Sequence, residues 1–282
     1  MKKTYFCRVN TIVMVKDFEI IDGKYIVRDV VACYDVDSSL RIRPVAFMNI
    51  AQEMATRAAD HLGFGYSDLI SKNMAWVVSR MYFRVVDVPR WKDELVVATW
   101  HKGVQGPFFV RDFSVCGADG SPKILATSSW VVLDTEKRSM IRISDVENMI
   151  PENSACYENA IDRLAPKIMI PRGSEPRLVQ SVKLGYSDID MNAHTNNARY
   201  VQYAMNCFDF EELRNKTVSE LFITFNHETY AGEVLDLYMV DNEIDGLTDV
   251  SSGKPVVRST TIEGKVGDRQ AFCTKINFVA CD

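Results

Sequence analysis

The sequence has no paired cysteines and no long hydrophobic segment. Its seven cysteines are scattered and include no C-x-x-C pair, so neither a zinc site nor a disulfide framework is expected. No run of about 18 apolar residues occurs, so no transmembrane helix is expected. Free thiols suit a reducing compartment, and we therefore expect a cytoplasmic protein.

The N-terminal segment also lacks the features of a secretory signal. The stretch MKKTYFCRVNTIVMV begins with two lysines, but polar residues interrupt its apolar run and no small-residue cleavage pattern follows. Because Tyr5, Cys7 and Val9 alternate with other residues, this stretch is predicted to be a first β-strand.

An excess of basic charge is missing as well. The net charge of −5 and the isoelectric point near 5.5 argue against a nucleic-acid-binding protein. The 282 residues are 47% hydrophobic, which is enough for a sizeable core in one large domain or two ordinary ones.

A long helix followed by strands is predicted in the first half. Pro44 suits the first turn of this helix and Gly63 lies just beyond its end. Four strand-like segments follow up to Asp134, and the sequence ADGSP between the last two predicts a hairpin turn. The apolar stripe of the helix comprises Phe47, Ile50, Ala51, Met54, Ala55, Ala58 and Leu62.

The second half repeats this order after a proline-containing linker. We place the first unit at 1–144, the linker at 145–176 with a short helix near 157–164, and the second unit at 177–282. In the second unit a strand, a helix with an apolar stripe from Tyr200 to Phe208, and four strands follow one another. This recurrence of element order predicts an internal repeat, although few residues are identical.

Aligning the two halves shows where they differ. When Asp35 is set on Asp188 and Met81 on Leu221, only one chemically active residue of the second half has a similar counterpart. That pair is Asp37 and Asp190. The other three positions, Asn192, His194 and Glu228, face Ser39, Arg41 and Val88.

The stretch DIDMNAHTNNARY contains the strongest candidate for chemistry. Asp190, Asn192 and His194 stand at alternate positions just before a helix, and alternate residues of an extended chain point to the same side. A capping or hydrogen-bonded structural histidine is the simplest alternative. Metal binding by Asp190, His194 and His227 lacks a second spaced ligand pair. Nothing places a base beside Cys207, and no G-x-S-x-G serine motif occurs.

Glu228 is the second candidate. It lies at the end of a predicted strand, where a solvated glutamate is the ordinary interpretation. The internal repeat, however, could bring this strand end close to the start of the helix. A carboxylate held with an imidazole and an amide suits activation of water or direct attack on an acyl carbon.

These residues give the chain a resemblance to the acyl-acyl-carrier-protein (acyl-ACP) thioesterases. The stretch DIDMNAHTNNARYVQYAM is similar to the D-x-N-x-H-x-N-N-x-x-Y signature of the family, and Glu228 stands 34 residues beyond His194, as the family's acid does. In the first half the resemblance lies in MAWVVSRMYFRVVDVPRWKDELVVATW and ATSSWVVLDTEKR. One departure is Thr229, where plant members usually carry a cysteine, so the resemblance favours a carboxylate mechanism.

The resemblance implies an α+β fold, a tandem double hotdog in which each half wraps an antiparallel sheet around a long helix. It implies hydrolysis of fatty acyl-ACP to free fatty acid, without metal or cofactor. Glu228 would be base or nucleophile, His194 would assist the leaving thiolate, and Asn192 and Asp190 would orient them. Backbone amides of Thr195–Asn197 would stabilise the oxyanion.

Because Ser39, Arg41 and Val88 replace the catalytic residue types in the first half, the two halves are expected to have different roles. The first half would bind the acyl chain and the second would catalyse. We expect substrate contacts from Met48, Met54, Trp76, Asn196 and Asn197.

Acyl carrier protein is the expected partner, with no nucleic acid, and a homodimer is possible. Because carrier proteins are acidic, docking would need a local basic patch. The candidates for it are Arg138, Arg142, Lys167, Arg172, Arg177 and Arg199.

Three alternatives stay open: an acyl-CoA thioesterase, a hotdog hydratase or dehydratase acting on 3-hydroxyacyl or enoyl thioesters, and a non-catalytic acyl-ACP-binding module. The close N-A-H spacing argues against the hydratase. The third alternative leaves the set of polar residues unexplained.

Overall fold

The structure is a computed structural model that describes residues 18–151 and 154–281. The strand predicted around Tyr5 lies outside these residues. The first half consists of strands β1 (Phe18–Ile21), β2 (Lys24–Val30), β3 (Met74–Val85), β4 (Glu94–Gln105), β5 (Phe108–Gly117), β6 (Pro122–Asp134) and β7 (Ser139–Met140), and helices α1 (Pro44–His61) and α2 (Tyr66–Ile70).

Helix α1 forms where the periodicity predicted it. Pro44 is its first residue, where a missing N–H costs no hydrogen bond, and Gly63 follows its end with a φ of 75°. The helix buries one apolar face in the main core against the sheet. The sequence ADGSP spans the β5–β6 turn, as predicted.

The second half repeats the order on a smaller scale. It consists of β8 (Arg177–Lys183), α3 (Asn197–Met205), α4 (Phe210–Arg214), β9 (Lys216–Phe225), β10 (Val234–Asp241), β11 (Val256–Val266) and β12 (Arg269–Ala280). Helix α3 has nine residues against eighteen in α1. It ends before Cys207 and Phe208, although the Phe208 ring still packs on Phe278 with 4.9 Å between ring centroids.

One antiparallel sheet joins the two halves. In the described residues it has twelve strands, in the order β1-β2-β4-β5-β6-β3-β9-β12-β11-β10-β8, with β7 paired to β6. Strand β3 of the first half pairs with β9 of the second, and Tyr82 lies opposite Phe222. Helices α1 and α3 contact each other on the same side of the sheet. The chain is therefore two strand-and-helix units fused edge to edge. No helix within the described ranges is long and apolar enough to cross a membrane.

The linker crosses the other face of the sheet. Its Ile161 and Ala165 pack on Tyr82, whose chain neighbours Met81 and Phe83 point into the helix-covered core. The short helix predicted at 157–164 is wrong, since these described residues form no helix. The linker instead lies along the sheet, and its backbone polar groups form hydrogen bonds with side chains of the sheet. Three such bonds are Ala160 N to Asp112 Oδ2 (2.9 Å), Ile168 N to Thr224 Oγ1 (2.8 Å) and Trp100 Nε1 to the Glu158 carbonyl (2.9 Å).

Candidate active site

A tight turn, and not an extended strand, presents the polar residues that precede α3. The amide of Asp190 donates to the His194 carbonyl at 2.9 Å, and Ala193 has a left-handed φ of 62°. Oδ1 of Asp190 accepts from the Asn192 amide at 2.8 Å. Since the segment folds back on itself, Asp190, Asn192 and His194 do not lie along one side of an extended chain, and that prediction is wrong. Asp190 holds the turn in shape, and the exposed Asn192 and half-buried His194 project from it.

Glu228 meets His194 just beyond the end of β9. Its Oε2 lies 3.4 Å from His194 Nε2 and accepts from the Tyr230 hydroxyl at 3.1 Å. The same oxygen accepts from Nη2 of Arg138 at 2.5 Å, so a residue of the first half enters the cluster. No partner for Oε1 occurs in the part of the chain that the structure describes. Glu228 and His194, which the sequence predicted to lie together, are therefore in direct contact.

The cluster favours an ionised Glu228. Partial burial raises the pKa of its carboxyl group, but the Arg138 hydrogen bond, the His194 charge and the Tyr230 hydroxyl together lower it below the usual value. The carboxylate is therefore available as a base or nucleophile at neutral pH.

Thr229 ties the two loops of the site together. Its carbonyl accepts from the Thr195 amide at 2.8 Å. Its hydroxyl lies 2.7 Å from Thr195 Oγ1 and 2.9 Å from the Tyr200 hydroxyl. Because Thr229 is fully buried, its side chain is structural and does not reach the solvent-accessible site.

Only one of the three predicted oxyanion donors is available. The Thr195 amide donates to Thr229, and the Asn196 amide donates to the Asp188 carbonyl at 2.8 Å. Asn196 also caps α3, because its Oδ1 accepts from the Ala198 amide at 2.9 Å. Asn197 is the first residue of the helix, and within the described ranges its amide donates to no acceptor. It therefore remains as the candidate oxyanion donor.

A cavity of about 900 Å³ opens at this cluster. It is lined by Trp76, Asn196 and Asn197, which were predicted to contact substrate, together with the rest of the turn from Asp190 and by Glu228. Met48 and Met54 do not line it, since their side chains are buried in the core between α1 and the sheet. The face of α1 that reaches the cavity carries Gln52, Glu53, Ala55, Thr56 and Ala59.

Sequence reasoning missed several residues of the site. Arg138 was expected only in a basic docking patch; it stands 90 positions before Glu228, and nothing in its local sequence indicates this contact. Tyr230 could have been found, because it lies only two residues after Glu228 and its hydroxyl reaches that carboxylate. Arg111 is a buried arginine in the cavity wall whose hydrogen-bond partner is Thr99 Oγ1 at 3.3 Å. Burial lowers its pKa to about 10.

The predicted basic patch does not form one cluster at the cavity. Arg138 contacts Glu228, and Arg199 is bound to the Ser187 carbonyl and Gln202. The linker at Lys167 crosses the opposite face of the sheet from α1, beside Ile168. No group of three or more metal-binding side chains lies together among the described residues, and His227 is exposed.

The fold and this site define a class: a double-hotdog protein with a carboxylate and an imidazole at the mouth of a large cavity. The sequence patterns described as "Acyl-ACP thioesterase N-terminal domain" and "Acyl-ACP thioesterase C-terminal domain" match residues 10–149 and 174–265. The chain belongs to the acyl-ACP thioesterase family, as its sequence resemblance predicted.

Plant enzymes are among its relatives in sequence. An oleoyl-acyl carrier protein thioesterase from Coriandrum sativum is 23% identical over 81% of this chain and 64% of its own length. A palmitoyl-acyl carrier protein thioesterase from Gossypium hirsutum is 26% identical over 72% of this chain and 51% of its own length. The chain thus spans half to two thirds of the length of these chloroplastic proteins.

Solved structures confirm the predicted fold. An acyl-ACP thioesterase from Bacteroides thetaiotaomicron superposes with a TM-score of 0.72 at 22% identity, over 91% of this chain and 98% of the other. A 12:0-ACP thioesterase from Umbellularia californica gives a TM-score of 0.79 at 18% identity, over 92% and 95%. At these identities the likeness establishes the α+β double-hotdog fold.

Proposed function

We propose that this protein hydrolyses the thioester of fatty acyl-ACP, releasing free fatty acid and acyl carrier protein and so ending fatty acid elongation. The observation that carries the proposal is the contact between Glu228 and His194 at the mouth of a cavity large enough for an acyl chain. Family membership supports the same reaction. A cytosolic location is part of the proposal, and a homodimer stays a prediction.

In the proposed reaction the acyl chain lies in the cavity with its thioester at Glu228. Glu228 removes a proton from water as the water oxygen attacks the acyl carbon. Alternatively its carboxylate attacks that carbon directly to form an acyl-Glu228 anhydride, which water then hydrolyses to free fatty acid and free Glu228. The Asn197 amide, at the positive end of α3, donates to the developing oxyanion. His194 donates a proton to the departing pantetheine sulfur, which leaves as a thiol, and His194 regains a proton from the water consumed in the reaction, by way of Glu228 where Glu228 acted as the base.

The first half supplies most of the acyl-binding wall in this proposal. Trp76, Phe64, Phe109 and Trp130 bring aromatic surface to the cavity, and Ala59 of α1 leaves room between them. Burial of an alkyl chain against such surfaces is favourable by about 0.8 kcal/mol per methylene group. In this proposal the acyl-binding wall comes mostly from the first half, and the groups that react, Glu228 and His194, come from the second.

Hydrolysis assays on three matched substrates test this function. Purified protein is offered acyl-ACP, acyl-CoA and enoyl-ACP of equal chain length, and free fatty acid, free thiol and hydrated product are measured. We expect fatty acid release with preference for acyl-ACP. Preference for acyl-CoA would instead identify a CoA thioesterase, and hydration without release would identify a hydratase. Binding of acyl-ACP without either reaction would identify a non-catalytic module.

A further inference from the structure

We propose that Arg138 of the first half is a positioning residue that holds Oε2 of Glu228, so that Oε1 is the oxygen that acts on water or substrate. This inference rests on the proposed function for its consequence in catalysis. The geometry on which it depends does not require that function. It makes the candidate active site a composite of both halves.

The two oxygens of Glu228 have different surroundings. Oε2 receives Arg138, Tyr230 and His194 within 3.4 Å. Oε1 has no partner in the described ranges of the chain, although Glu228 lines the cavity. Two hydrogen-bond donors and the His194 contact on one oxygen fix the rotation of the carboxylate, and a water molecule bound to Oε1 would face the cavity.

The hairpin between β6 and β7 determines where Arg138 lies. Oδ1 of Asp134 accepts from the amides of Glu136 and Lys137, at 3.0 and 2.8 Å. Arg138 follows with a left-handed φ of 51°, and Ser139 then pairs with Asp134 to close the hairpin. This closed turn directs Arg138 toward the second half.

The charge of Arg138 affects the pKa of Glu228. The groups that face Glu228 are Arg138 from the hairpin, His194 from the turn and Tyr230 from its own segment. The other charged or titratable groups that line the same cavity include Glu53, His101, Arg111, Asp134 and Asp190. After partial burial, which raises the Glu228 pKa, the Arg138 hydrogen bond is the largest influence, and it lowers that pKa. Removing Arg138 must therefore raise the pKa of Glu228, and activity would then be lost at a higher pH as the medium is acidified.

The test compares Arg138→Gln and Arg138→Lys with a matched control, Lys137→Gln. Lys137 is the preceding residue, is exposed, and contacts Asp134 instead of Glu228. For Arg138→Gln we expect kcat for acyl-ACP to fall about tenfold or more at pH 7, with KM within about twofold. The acid limb of the rate profile should move to higher pH. Arg138→Lys should return the limb toward its wild-type position with less recovery of kcat, because ammonium lacks the planar fork of guanidinium.

A second readout separates this inference from the proposed function. Carbon-13 NMR of labelled glutamate side chains measures the Glu228 pKa directly in the wild type and in Arg138→Gln, without any turnover. If wild type hydrolyses no thioester but the Glu228 pKa rises in the variant, the proposed function fails and the contact with Arg138 stands. If hydrolysis is normal and neither kcat, the acid limb nor the Glu228 pKa changes in Arg138→Gln, the positioning role is wrong.

Lys137→Gln should match wild type in all three readouts. Thermal unfolding of each variant excludes loss of the fold, since an exposed ion pair contributes little to stability. An acid limb that moves equally in Lys137→Gln would show a general charge effect and would also contradict the proposal.

Discussion

The two halves contain the same kind of turn, and its backbone makes matching hydrogen bonds in both. In the first half the Asp37 amide donates to the Arg41 carbonyl at 2.8 Å, as Asp190 does to His194. The residues in the left-handed region correspond as well, with φ of 61° at Leu40 and 62° at Ala193. Three further hydrogen bonds recur in both turns. In the first half, the amides of Ser39, Ile42 and Arg43 donate to Asp37 Oδ1, the Pro89 carbonyl and the Asp35 carbonyl, respectively. In the second half, the amides of Asn192, Thr195 and Asn196 donate to Asp190 Oδ1, the Thr229 carbonyl and the Asp188 carbonyl, respectively.

What the two turns carry is different. Arg41, at the position of His194, is buried and its guanidinium bonds Asp37, the Leu213 and Lys216 carbonyls, Thr217 and Cys281. The strand-end position of Glu228 is occupied by Val88. The cavity beside this first-half turn holds about 330 Å³, against about 900 Å³ at the candidate site. Thus the first-half turn is a packing element, and the second-half turn carries groups that can do chemistry.

The largest difference between the two halves is expected for Glu228→Gln. We expect kcat to fall by about 100-fold or more, because the amide cannot act as a base or carry the negative charge. Val88→Ala, at the equivalent position, should change kcat less than about twofold and serves as the control. Steady-state fatty acid release measures both. Similar small losses at the two positions would remove Glu228 from the mechanism.

Substitution of His194 should lower kcat, whereas substitution of Arg41, at the equivalent position, should lower stability. His194→Gln should lower kcat by about 100-fold with little change in unfolding temperature. Arg41→Met should leave kcat per folded molecule unchanged but lower the free energy of unfolding by about 2–4 kcal/mol, because buried acceptors and Asp37 lose their donor. Kinetics and denaturant unfolding of both variants test this. An activity loss in a stably folded Arg41→Met protein would contradict a purely structural Arg41.

The division between binding and chemistry can be sharpened at Ala59. Ala59→Leu places additional carbons in the large cavity, so release from the longest accepted acyl chain should fall about tenfold relative to shorter chains. The profile of released acids over a chain-length series measures the shift. Gln202→Leu, which lines the small first-half cavity, should leave the profile unchanged. If both variants shift the profile equally, the acyl chain does not occupy the large cavity alone.

The smallest expected effect concerns Thr229. Its carbonyl contact recurs at Pro89, but the hydroxyl contacts to Thr195 and Tyr200 have no counterpart there. Thr229→Ala should therefore lower stability by about 1–2 kcal/mol and kcat by no more than about fivefold. Unfolding and turnover are measured on the same preparation. A loss of activity as large as that of Glu228→Gln would place the hydroxyl in the chemistry.

Much of the fold could be read from periodicity. Helix α1 begins at Pro44 and ends at His61, close to the bounds that its apolar stripe predicted, and the four strands predicted after each helix lie close to their observed bounds. Strands β1, β2 and β7 were not predicted, and the strand predicted from Arg177 to Asp190 ends at Lys183. The short helix predicted in the linker was wrong. A peptide that lies along a sheet makes its hydrogen bonds with distant side chains, so its local sequence gives no signal of its conformation. The second helix was overextended for a similar reason: Cys207 and Phe208 keep apolar contacts after the helix has ended.

The candidate site was predicted in part. The family spacing from His194 to Glu228 pointed to a pair, and the structure brings them together. The reason offered from alternation was nevertheless wrong, since Ala193 turns the chain back. Met48 and Met54 were assigned to the acyl cavity, but helical periodicity cannot distinguish a face packed on the sheet from one lining a cavity.

By itself the sequence determined the two repeated units, the place of the long helix, and the residue types that distinguish the second turn from the first. These follow from composition and from periods of two and 3.6 residues, which act over neighbouring positions. Only the tertiary structure decided that Arg138 contacts Glu228, that Asn197 alone keeps a free amide among the predicted oxyanion donors, and that Arg41 fills the first-half turn. Each of these depends on which distant segments the strand register and the packing of the helices bring within hydrogen-bond distance, and no local pattern encodes that.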